Sequence, residues 1–246
     1  MVTIDVEATR AAGYVLLDGV VSAQECARLA DRLSEYAAGA RPMPDGMRLQ
    51  REPAVERGER AAAAGADVRK VSGLVHDPLF RSVITSDAIV DVMRQLMGPD
   101  LELFRADALM KPAGVGSAKG PHQDSPYWPI EPMDLWSCWI PFDAATESNG
   151  CMVVAPASHR RGALPHEHVG DDYVIPTEEV SAAELVAVPM RPGAGLFFHS
   201  LLVHQTSANT SPHPRRAATF SYMPAAASYT GDGAAPHYFT VSGGAG

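Results

Sequence analysis

The sequence has 246 residues, of which 46% are hydrophobic and 20% charged, a composition typical of a folded globular protein. Its formal net charge of -9 disfavours a nucleic-acid-binding surface, and no apolar run reaches the ~20 residues of a membrane span. The three cysteines, Cys26, Cys138 and Cys151, form no CxxC pair, and the N-terminus lacks an apolar signal core, so we expect a reduced, cytoplasmic protein.

The N-terminal part begins with a strand, a turn and a helix. Residues 14–17 are apolar and β-prone, and the Asp-Gly pair that follows breaks the strand. Ser22 is a suitable N-cap, with Glu25 three residues later as in a capping box. Apolar residues then recur at helical spacing until Gly39, so a helix is predicted between these points.

The next segments are less regular. Residues 41–67 are charged and follow no sustained pattern, which indicates a mobile loop or a marginal helix. A second helical region is predicted from Asp77-Pro78 and continues over residues 86–97. Gly98-Pro99 ends it, because neither residue continues a helix well.

From residue 101 the sequence changes to short β-prone runs separated by Pro, Gly, Asn and Asp. The runs include LELFRADALM, LWSCWIPF, CMVVAPAS, GLFFHSLLVHQTS and RAATFSYMP. Short strands at this spacing are typical of an antiparallel sandwich or barrel. We predict one domain over 1–246, with a helical part at about 1–100, a β core at about 101–224 and a tail at 225–246. The polar segment 161–183 is a loop that can cover a site.

The segment KGPHQDSPYWP, residues 119–129, holds a candidate metal site. Residues i and i+2 of a strand share a face, so His122 and Asp124 can approach one ion from one strand. An imidazole and a carboxylate form the facial triad of non-heme Fe(II) oxygenases when a second histidine joins them. His-x-Asp is a common pattern by itself, so the interpretation depends on that third ligand.

Several downstream histidines could supply the third ligand: His159, His166, His168, His199, His204, His213 and His237. His204 is preferred, because Arg215 opens the next predicted strand and antiparallel neighbours would place both side chains at one mouth of the barrel. An arginine offers a bidentate fork to a dicarboxylate co-substrate. His199 lies an odd number of residues before His204 and would face the other way, as a core or edge histidine.

Motifs along nearly the whole chain carry a resemblance to a known family. GYVLLDGVVSAQECARL, MKPAG, HQDSPYWP, SNGCMVVAPASHRRG, FFHSLLVHQTSANTSPHPRRA and SYMP resemble the phytanoyl-CoA dioxygenase family of Fe(II)/2-oxoglutarate-dependent oxygenases. The resemblance implies a mainly β fold with flanking helices and a double-stranded β-helix (jelly-roll, cupin-like) core. It also implies Fe(II), the co-substrate 2-oxoglutarate and O2, with release of succinate and CO2.

The resemblance also implies roles for single residues. His122, Asp124 and His204 match the iron ligands and are the expected catalytic residues. Arg215 matches the arginine that binds the distal carboxylate of 2-oxoglutarate. Thr206 stands where the family usually has a serine hydroxyl beside that carboxylate.

Three further assignments have structural alternatives. Lys70 resembles a lysine near the cofactor in some members, and the alternative is a solvated surface lysine. Trp139 matches a tryptophan of the cofactor pocket, although core packing would explain it equally well. Trp128 resembles an aromatic residue that packs over the site and would contact substrate, and the alternative is packing within its own loop.

Asp124 also bears on the type of reaction. Halogenating relatives have a small residue at this place, so a carboxylate favours hydroxylation, while desaturation, epoxidation and ring formation remain open. The expected substrate is a small metabolite or natural-product intermediate, with no nucleic-acid or membrane partner. Segments 41–67, 161–183 and 225–246 are the expected lids. The alternatives are a halogenase or metal-dependent isomerase on the same fold, or a non-catalytic metal-binding protein.

Overall fold

The computed structural model describes residues 2–170 and 172–243. Its helices are α1 (Val6–Ala12), α2 (Ala23–Ala37), α3 (Pro53–Glu56), α4 (Pro78–Ile84) and α5 (Asp87–Met97). Its longer strands, of four residues or more, are β1 (Tyr14–Leu17), β2 (Arg48–Arg51), β3 (Val68–Ser72), β4 (Leu101–Lys111), β5 (Lys119–His122), β7 (Trp136–Pro141), β12 (Gly195–His199), β14 (Arg215–Pro224) and β16 (Phe239–Ser242). The shorter strands are β6 (Ile130–Glu131), β8 (Met152–Val154), β9 (Glu167–Val169), β10 (Asp172–Val174), β11 (Val186–Val188), β13 (His204–Thr206) and β15 (Ser228–Tyr229).

Two antiparallel sheets form the centre of the fold. The larger sheet has the strand order β1-β12-β7-β14-β4-β3-β2, with β16 beside β4, and the smaller has the order β11-β8-β13-β5. Buried side chains from both sheets share one cluster, in which Trp139 and Phe198 of the larger sheet join Met152 and Val154 of the smaller. The predicted mainly β fold with antiparallel strands is confirmed.

The helices cover the outer face of the larger sheet. Leu29 and Leu33 of α2 and Phe80 of α4 pack in one cluster with Phe220 and Tyr222 of β14. Burial of such apolar faces contributes about 25 cal/mol for each Å² removed from water. The predicted start of α2 is confirmed, since its N-cap hydroxyl accepts a hydrogen bond from the N–H three residues later, at 3.1 Å.

The alternation of side chains along β4 brings charge into the interior. Ala106, Ala108 and Met110 belong to the cluster beneath the helices. Arg105 and Lys111 therefore extend from the opposite face of the strand, toward the smaller sheet, because successive side chains of a strand point to opposite faces. This row supplies polar groups to the space between the sheets.

The N-terminal part contains more structure than its sequence indicated. Residues 6–12 form α1, whose N-cap Asp5 accepts a hydrogen bond from the N–H of Ala8. Within 41–67, expected to be a loop or marginal helix, the chain forms β2 and the short α3, and β2 pairs with β3. The strand β2 is an exposed edge strand with few apolar residues, so no alternation marks it. The part at about 1–100 thus adds strands to the larger sheet.

The described part of the C-terminal tail, residues 225–243, contains two strands. β15 pairs with β6, and β16 pairs with β4. Tyr238 packs against Phe104, with 6.0 Å between ring centroids, in a cluster that also contains Trp128. Among the residues that the structure describes, no helix is both long and apolar enough to cross a membrane.

Candidate active site

Two histidines face each other from adjacent strands of the smaller sheet. His122 ends β5 and is the Cα partner of His204 at the start of β13, and their ring centroids are 4.1 Å apart. Each Nδ1 lies 2.9 Å from a backbone carbonyl oxygen, that of Gly120 for His122 and that of Leu202 for His204. Only a protonated Nδ1 can donate to a carbonyl, so each Nε2 keeps a free lone pair for a metal ion.

The electrostatic setting keeps His122 in the neutral form that binds metals. Its pKa is held well below 6.5, first by burial and then by the neighbouring His204 and Lys119. A neutral imidazole offers its lone pair to a cation without first losing a proton.

Asp124 joins the two histidines from outside the strand. It lies beyond the end of β5, at the N-cap of a 3-10 turn, and its backbone N–H donates to the carbonyl of Ser200 at 2.8 Å. One carboxylate oxygen is 4.0 Å from His122 Nε2, and ligand atoms of the three side chains all lie within 4.8 Å of one another. The expectation that one strand presents both His122 and Asp124 is therefore wrong, although the residues meet: a turn aims the carboxylate.

Gln123, which the sequence analysis did not single out, connects the elements of the site. Its side chain is fully buried, and its Nε2 donates to the carbonyls of Leu201 and Gly162 at 2.7 and 2.8 Å. Its Oε1 accepts from the N–H of Leu164 at 2.8 Å. The residue between the two candidate ligands thus fixes the turn before His204 and the start of segment 161–183. A buried amide with satisfied hydrogen bonds is costly to replace.

A cavity of about 380 Å³ opens beside the triad, within the size range of ligand pockets. His122, Asp124 and His204 line it, and Arg215 lies in the same wall.

Two of the segments that were expected to act as lids also line this cavity. Segment 161–183 contributes Asp172 and Tyr173 of the β9–β10 hairpin, and segment 41–67 contributes Gln50 and Glu52. No described residue of the tail 225–243 lines this cavity. Two of the three expected lids therefore border it.

Arg215 is a buried cation without a carboxylate partner in the described structure. It is 2% exposed, its Nη1 donates to the carbonyl of Leu109 at 2.9 Å, and its guanidinium carbon lies 5.4 Å from the ring centroid of Trp139. Its Nε is buried with no hydrogen-bond partner among the described residues. Burial lowers its pKa to about 10, so it remains charged at neutral pH. Buried charges in proteins are usually compensated, so Arg215 is suited to bind an anion that enters the cavity.

Arg215 reaches the cavity from a different strand arrangement than expected. The strands of His204 and Arg215 were expected to be antiparallel neighbours, and this expectation is wrong. Instead β13 belongs to the smaller sheet and β14 to the larger, so the two side chains approach across the interior. Thr206 and Trp139 line the same cavity.

Lys111 is a second buried cation, beside Arg215, and its importance was not predicted from the sequence. It is the Cα partner of Arg215, is 5% exposed, and its Nζ donates to the carbonyl of Ser117. Burial, and then the charge of Arg215, lowers its pKa to about 7. Gly150 lies against its side chain at φ +84°, where an added Cβ would meet Lys111 Cδ at 2.8 Å. The only sequence signal was its place in the MKPAG segment.

The two remaining site candidates also face the cavity. Lys70 is not a solvated surface lysine, since its Nζ lies 3.0 Å from a carboxylate oxygen of the buried Asp107. Trp128 is 8% exposed and stacks on Phe104, with 4.7 Å between ring centroids. Both line the cavity, so Trp128 combines packing with a place at the site.

The other histidine candidates lie apart from the triad. His199 ends β12 and hydrogen-bonds Asp134 at 3.1 Å, as a strand-edge residue. His166 accepts from the N–H of Gln123 at 3.0 Å, and His159 contacts the carbonyl of Arg10. The rest occupy exposed positions: His168, His213 and His237. In the part of the chain that the structure describes, the triad is the one cluster of His, Cys, Asp or Glu groups suited to a metal ion.

The fold and site together define a metal-binding double-stranded β-helix protein with a cationic pocket beside the metal position. The model of the phytanoyl-CoA dioxygenase (PhyH) family matches residues 9–217. The chain belongs to this family and is an Fe(II)- and 2-oxoglutarate-dependent oxygenase-type enzyme that uses O2. The predicted family, enzyme class and cofactors are thereby confirmed.

Two curated relatives show the extent of the similarity. A probable phytanoyl-CoA dioxygenase of Caenorhabditis elegans is 28% identical over 223 residues, which cover 85% of this chain and 71% of the relative. A methylphosphonate hydroxylase of Gimesia maris is 30% identical over 211 residues, which cover 85% of this chain and 76% of the relative.

Solved structures share the fold at low sequence identity. The non-heme monooxygenase ThoJ superposes with a TM-score of 0.75 at 22% identity, over 98% of this chain and 84% of that one. EctD from S. alaskensis, solved with 2-oxoglutarate and 5-hydroxyectoine, gives 0.72 at 23% identity, over 91% and 76%. The epimerase SnoN, solved with Fe3+, α-ketoglutarate and nogalamycin RO, gives 0.69 at 24% identity, over 96% and 93%. The predicted cupin-like fold is confirmed.

Proposed function

We propose that this enzyme oxidises a C–H bond of a small-molecule metabolite, most simply by hydroxylation, with conversion of 2-oxoglutarate to succinate and CO2. The observation that supports this most directly is one cavity that contains both a two-histidine, one-carboxylate triad and a buried, unpaired arginine. The cytoplasmic location expected from three free cysteines belongs to the same proposal.

We assign His122, Asp124 and His204 as the ligands of Fe(II). A metal ion held by two neutral imidazoles and one carboxylate would keep further coordination positions for the 2-oxo acid and for O2. The bound iron supplies the redox chemistry, and the chain positions the reactants around it. Gln123 holds the two ends of the triad in place through its three side-chain hydrogen bonds.

We assign Arg215 as the residue that binds the distal carboxylate of 2-oxoglutarate. The guanidinium fork can donate two parallel hydrogen bonds to a carboxylate. Thr206, Trp139 and Lys70 line the same cavity and are assigned to this co-substrate as well. Lys111 lies beside Arg215 and adds positive charge at this end of the cavity, which favours a dianionic co-substrate there.

The choice of hydroxylation rests on Asp124. A carboxylate occupies the third ligand position, which a halogenase would leave to halide, so the halogenase alternative is disfavoured. Epimerisation, the activity named for SnoN, uses the same class of site and is the second candidate outcome. A non-catalytic binding protein would have no use for an open triad together with a buried unpaired arginine.

Anaerobic titration of the protein with Fe(II) and 2-oxoglutarate tests the proposal. Chelation of the 2-oxo acid is expected to give a weak visible charge-transfer band, and subsequent O2 exposure should release succinate. Arg215→Met is the matched variant, and it should need far more 2-oxoglutarate to develop the band. A wild-type protein that binds Fe(II) but gives neither band nor succinate would rule out the proposed chemistry.

A further inference from the structure

Two ionic clusters at the cavity wall each contain more positive than negative charge. In the first, the buried Asp107 lies between two cations, with Lys70 Nζ at 3.0 Å and Arg105 Nη2 at 2.8 Å from the same carboxylate oxygen. Burial raises the pKa of Asp107, but Arg105 and Lys70 more than offset it, and the carboxyl is ionised with a lowered pKa. One negative charge therefore faces two positive charges.

The second cluster repeats this pattern at the β9–β10 hairpin. Asp172, at the start of β10, accepts from Arg69 Nη2 and from Lys119 Nζ, both at 2.8 Å. Arg69, Lys119 and Asp172 all line the cavity. Again a single carboxylate partners two cations, so each cluster keeps one positive charge in excess.

The co-substrate and the metal do not neutralise this excess positive charge. An Fe(II) ion, the Asp124 carboxylate, a 2-oxoglutarate dianion and Arg215 sum to zero charge. Lys111 is opposed by the buried Glu52, whose charge raises the pKa of that lysine. About two positive charges thus remain on the cavity wall, in a chain whose net charge is -9. A cavity of one sign concentrates ligands of the other sign.

Among these cations, Arg105 has the position best suited to bind a substrate. Its guanidinium carbon lies 5.5 Å from the ring centroid of Trp128, four residues after Asp124. Its Nη2 forms an ion pair with Asp107, whereas its Nε is buried with no hydrogen-bond partner among the described residues. Lys70 lies nearer the co-substrate, because it is the Cα partner of Leu109, whose carbonyl accepts from Arg215. Arg105 thus keeps donor capacity away from the Arg215 end.

We propose that the substrate carries an oxyanion, either a carboxylate or a phosphonate or phosphate, and that Arg105 binds it beside Trp128. This inference rests on the proposed function, since it assumes that 2-oxoglutarate occupies the Arg215 end. Asp107 has a positioning role, because it holds the guanidinium through one ion pair and leaves its other donors for the ligand. The Arg105 guanidinium also lies over the face of the Trp128 ring, and this cation–π contact helps to hold it in position.

Calorimetric binding tests this assignment without turnover. The protein is loaded with Zn(II) in place of Fe(II) and with saturating 2-oxoglutarate, so that Arg215 is already occupied. Methylphosphonate and its neutral dimethyl ester form one probe pair, and acetate and acetamide form the other. The wild type should bind an anion more tightly than its neutral partner, and the preferred pair identifies the oxyanion.

Arg105→Gln should raise the dissociation constant of the preferred anion about ten- to a hundredfold, as expected for loss of one charge-assisted hydrogen bond. Arg105→Lys should retain part of the affinity. Arg191→Gln, at an exposed position outside the cavity, is the matched control and should bind as the wild type does. Both Arg105 variants should still develop the anaerobic Fe(II)–2-oxoglutarate band, which verifies their folding.

Three results would overturn the inference: equal wild-type affinity for anion and neutral partner, unchanged anion affinity in Arg105→Gln, or no anion binding by the wild type. Failure of the proposed function is distinguishable, because it removes the Fe(II)–2-oxoglutarate band from the wild type itself.

Discussion

Replacing Lys111 by methionine should stabilise the ligand-free protein. The pKa of this lysine falls from 10.5 to about 7 through burial and the charge of Arg215. At about 1.36 kcal/mol per pH unit, this difference corresponds to a cost of about 4 kcal/mol near pH 7. Loss of the hydrogen bond to the Ser117 carbonyl should offset about 1 kcal/mol of this. We therefore expect Lys111→Met to raise the free energy of unfolding by about 3 kcal/mol.

The pH dependence has a definite sign. The folded-state pKa of Lys111 lies below its unfolded value, so the unfolded chain binds more protons between pH 7 and 10.5. The contribution of Lys111 to the free energy of unfolding therefore rises with pH across this window. In Lys111→Met the free energy of unfolding should not show this rise with pH. The gain over the wild type should be greatest near pH 7 and below, and it should shrink as the pH approaches 10.5.

The same substitution should weaken co-substrate binding. A charged Lys111 attracts the 2-oxoglutarate dianion, so Lys111→Met should raise its dissociation constant about tenfold near pH 6.5, where the lysine is largely protonated. For the wild type, affinity should decline as the pH passes about 7.

Urea denaturation of the metal-free protein at pH 7 and pH 9 measures the stability, and anaerobic Fe(II)–2-oxoglutarate titration measures the affinity. For the stability measurement Lys119→Met is the matched control, because its side chain is 29% exposed and pairs with Asp172, so removing it relieves no buried charge. A Lys111→Met protein that is less stable than the wild type and binds 2-oxoglutarate equally well would refute the reasoning.

Three further predictions test the site. Arg215→Met should raise the dissociation constant of 2-oxoglutarate more than tenfold and Arg215→Lys somewhat less, since lysine keeps the charge but lacks the planar fork; equal affinity in all three proteins would place the carboxylate elsewhere. His204→Ala should abolish iron binding, measured as metal content, whereas His199→Ala should retain it because that ring contacts Asp134; the reverse result would exchange their roles. Asp124→Ala should lose succinate formation with Fe(II) in excess while the thermal midpoint of the apo-protein changes little; near-normal turnover with a lowered midpoint would reduce Asp124 to a turn residue.

The sequence alone predicted the elements whose signals are local. The N-cap hydroxyl of Ser22 and the breakers at Gly98-Pro99 marked helix ends that the structure reproduces. The change to short β-prone runs after residue 101 predicted the antiparallel core. Motif order also assigned His122, Asp124, His204 and Arg215 to one site, because each motif carries its own residue types. These signals depend on side chains only a few positions apart.

The tertiary structure decided how those residues meet. Spacing predicts the direction of a side chain only while the chain stays within one element. Asp124 lies in a turn beyond β5, and β12 ends before β13 begins in the other sheet, so counting residues between His199 and His204 carried no information. Gln123 and Lys111 were invisible for a related reason. Their importance comes from burial and from charges on distant segments, and these exist only once strands remote in sequence have packed together.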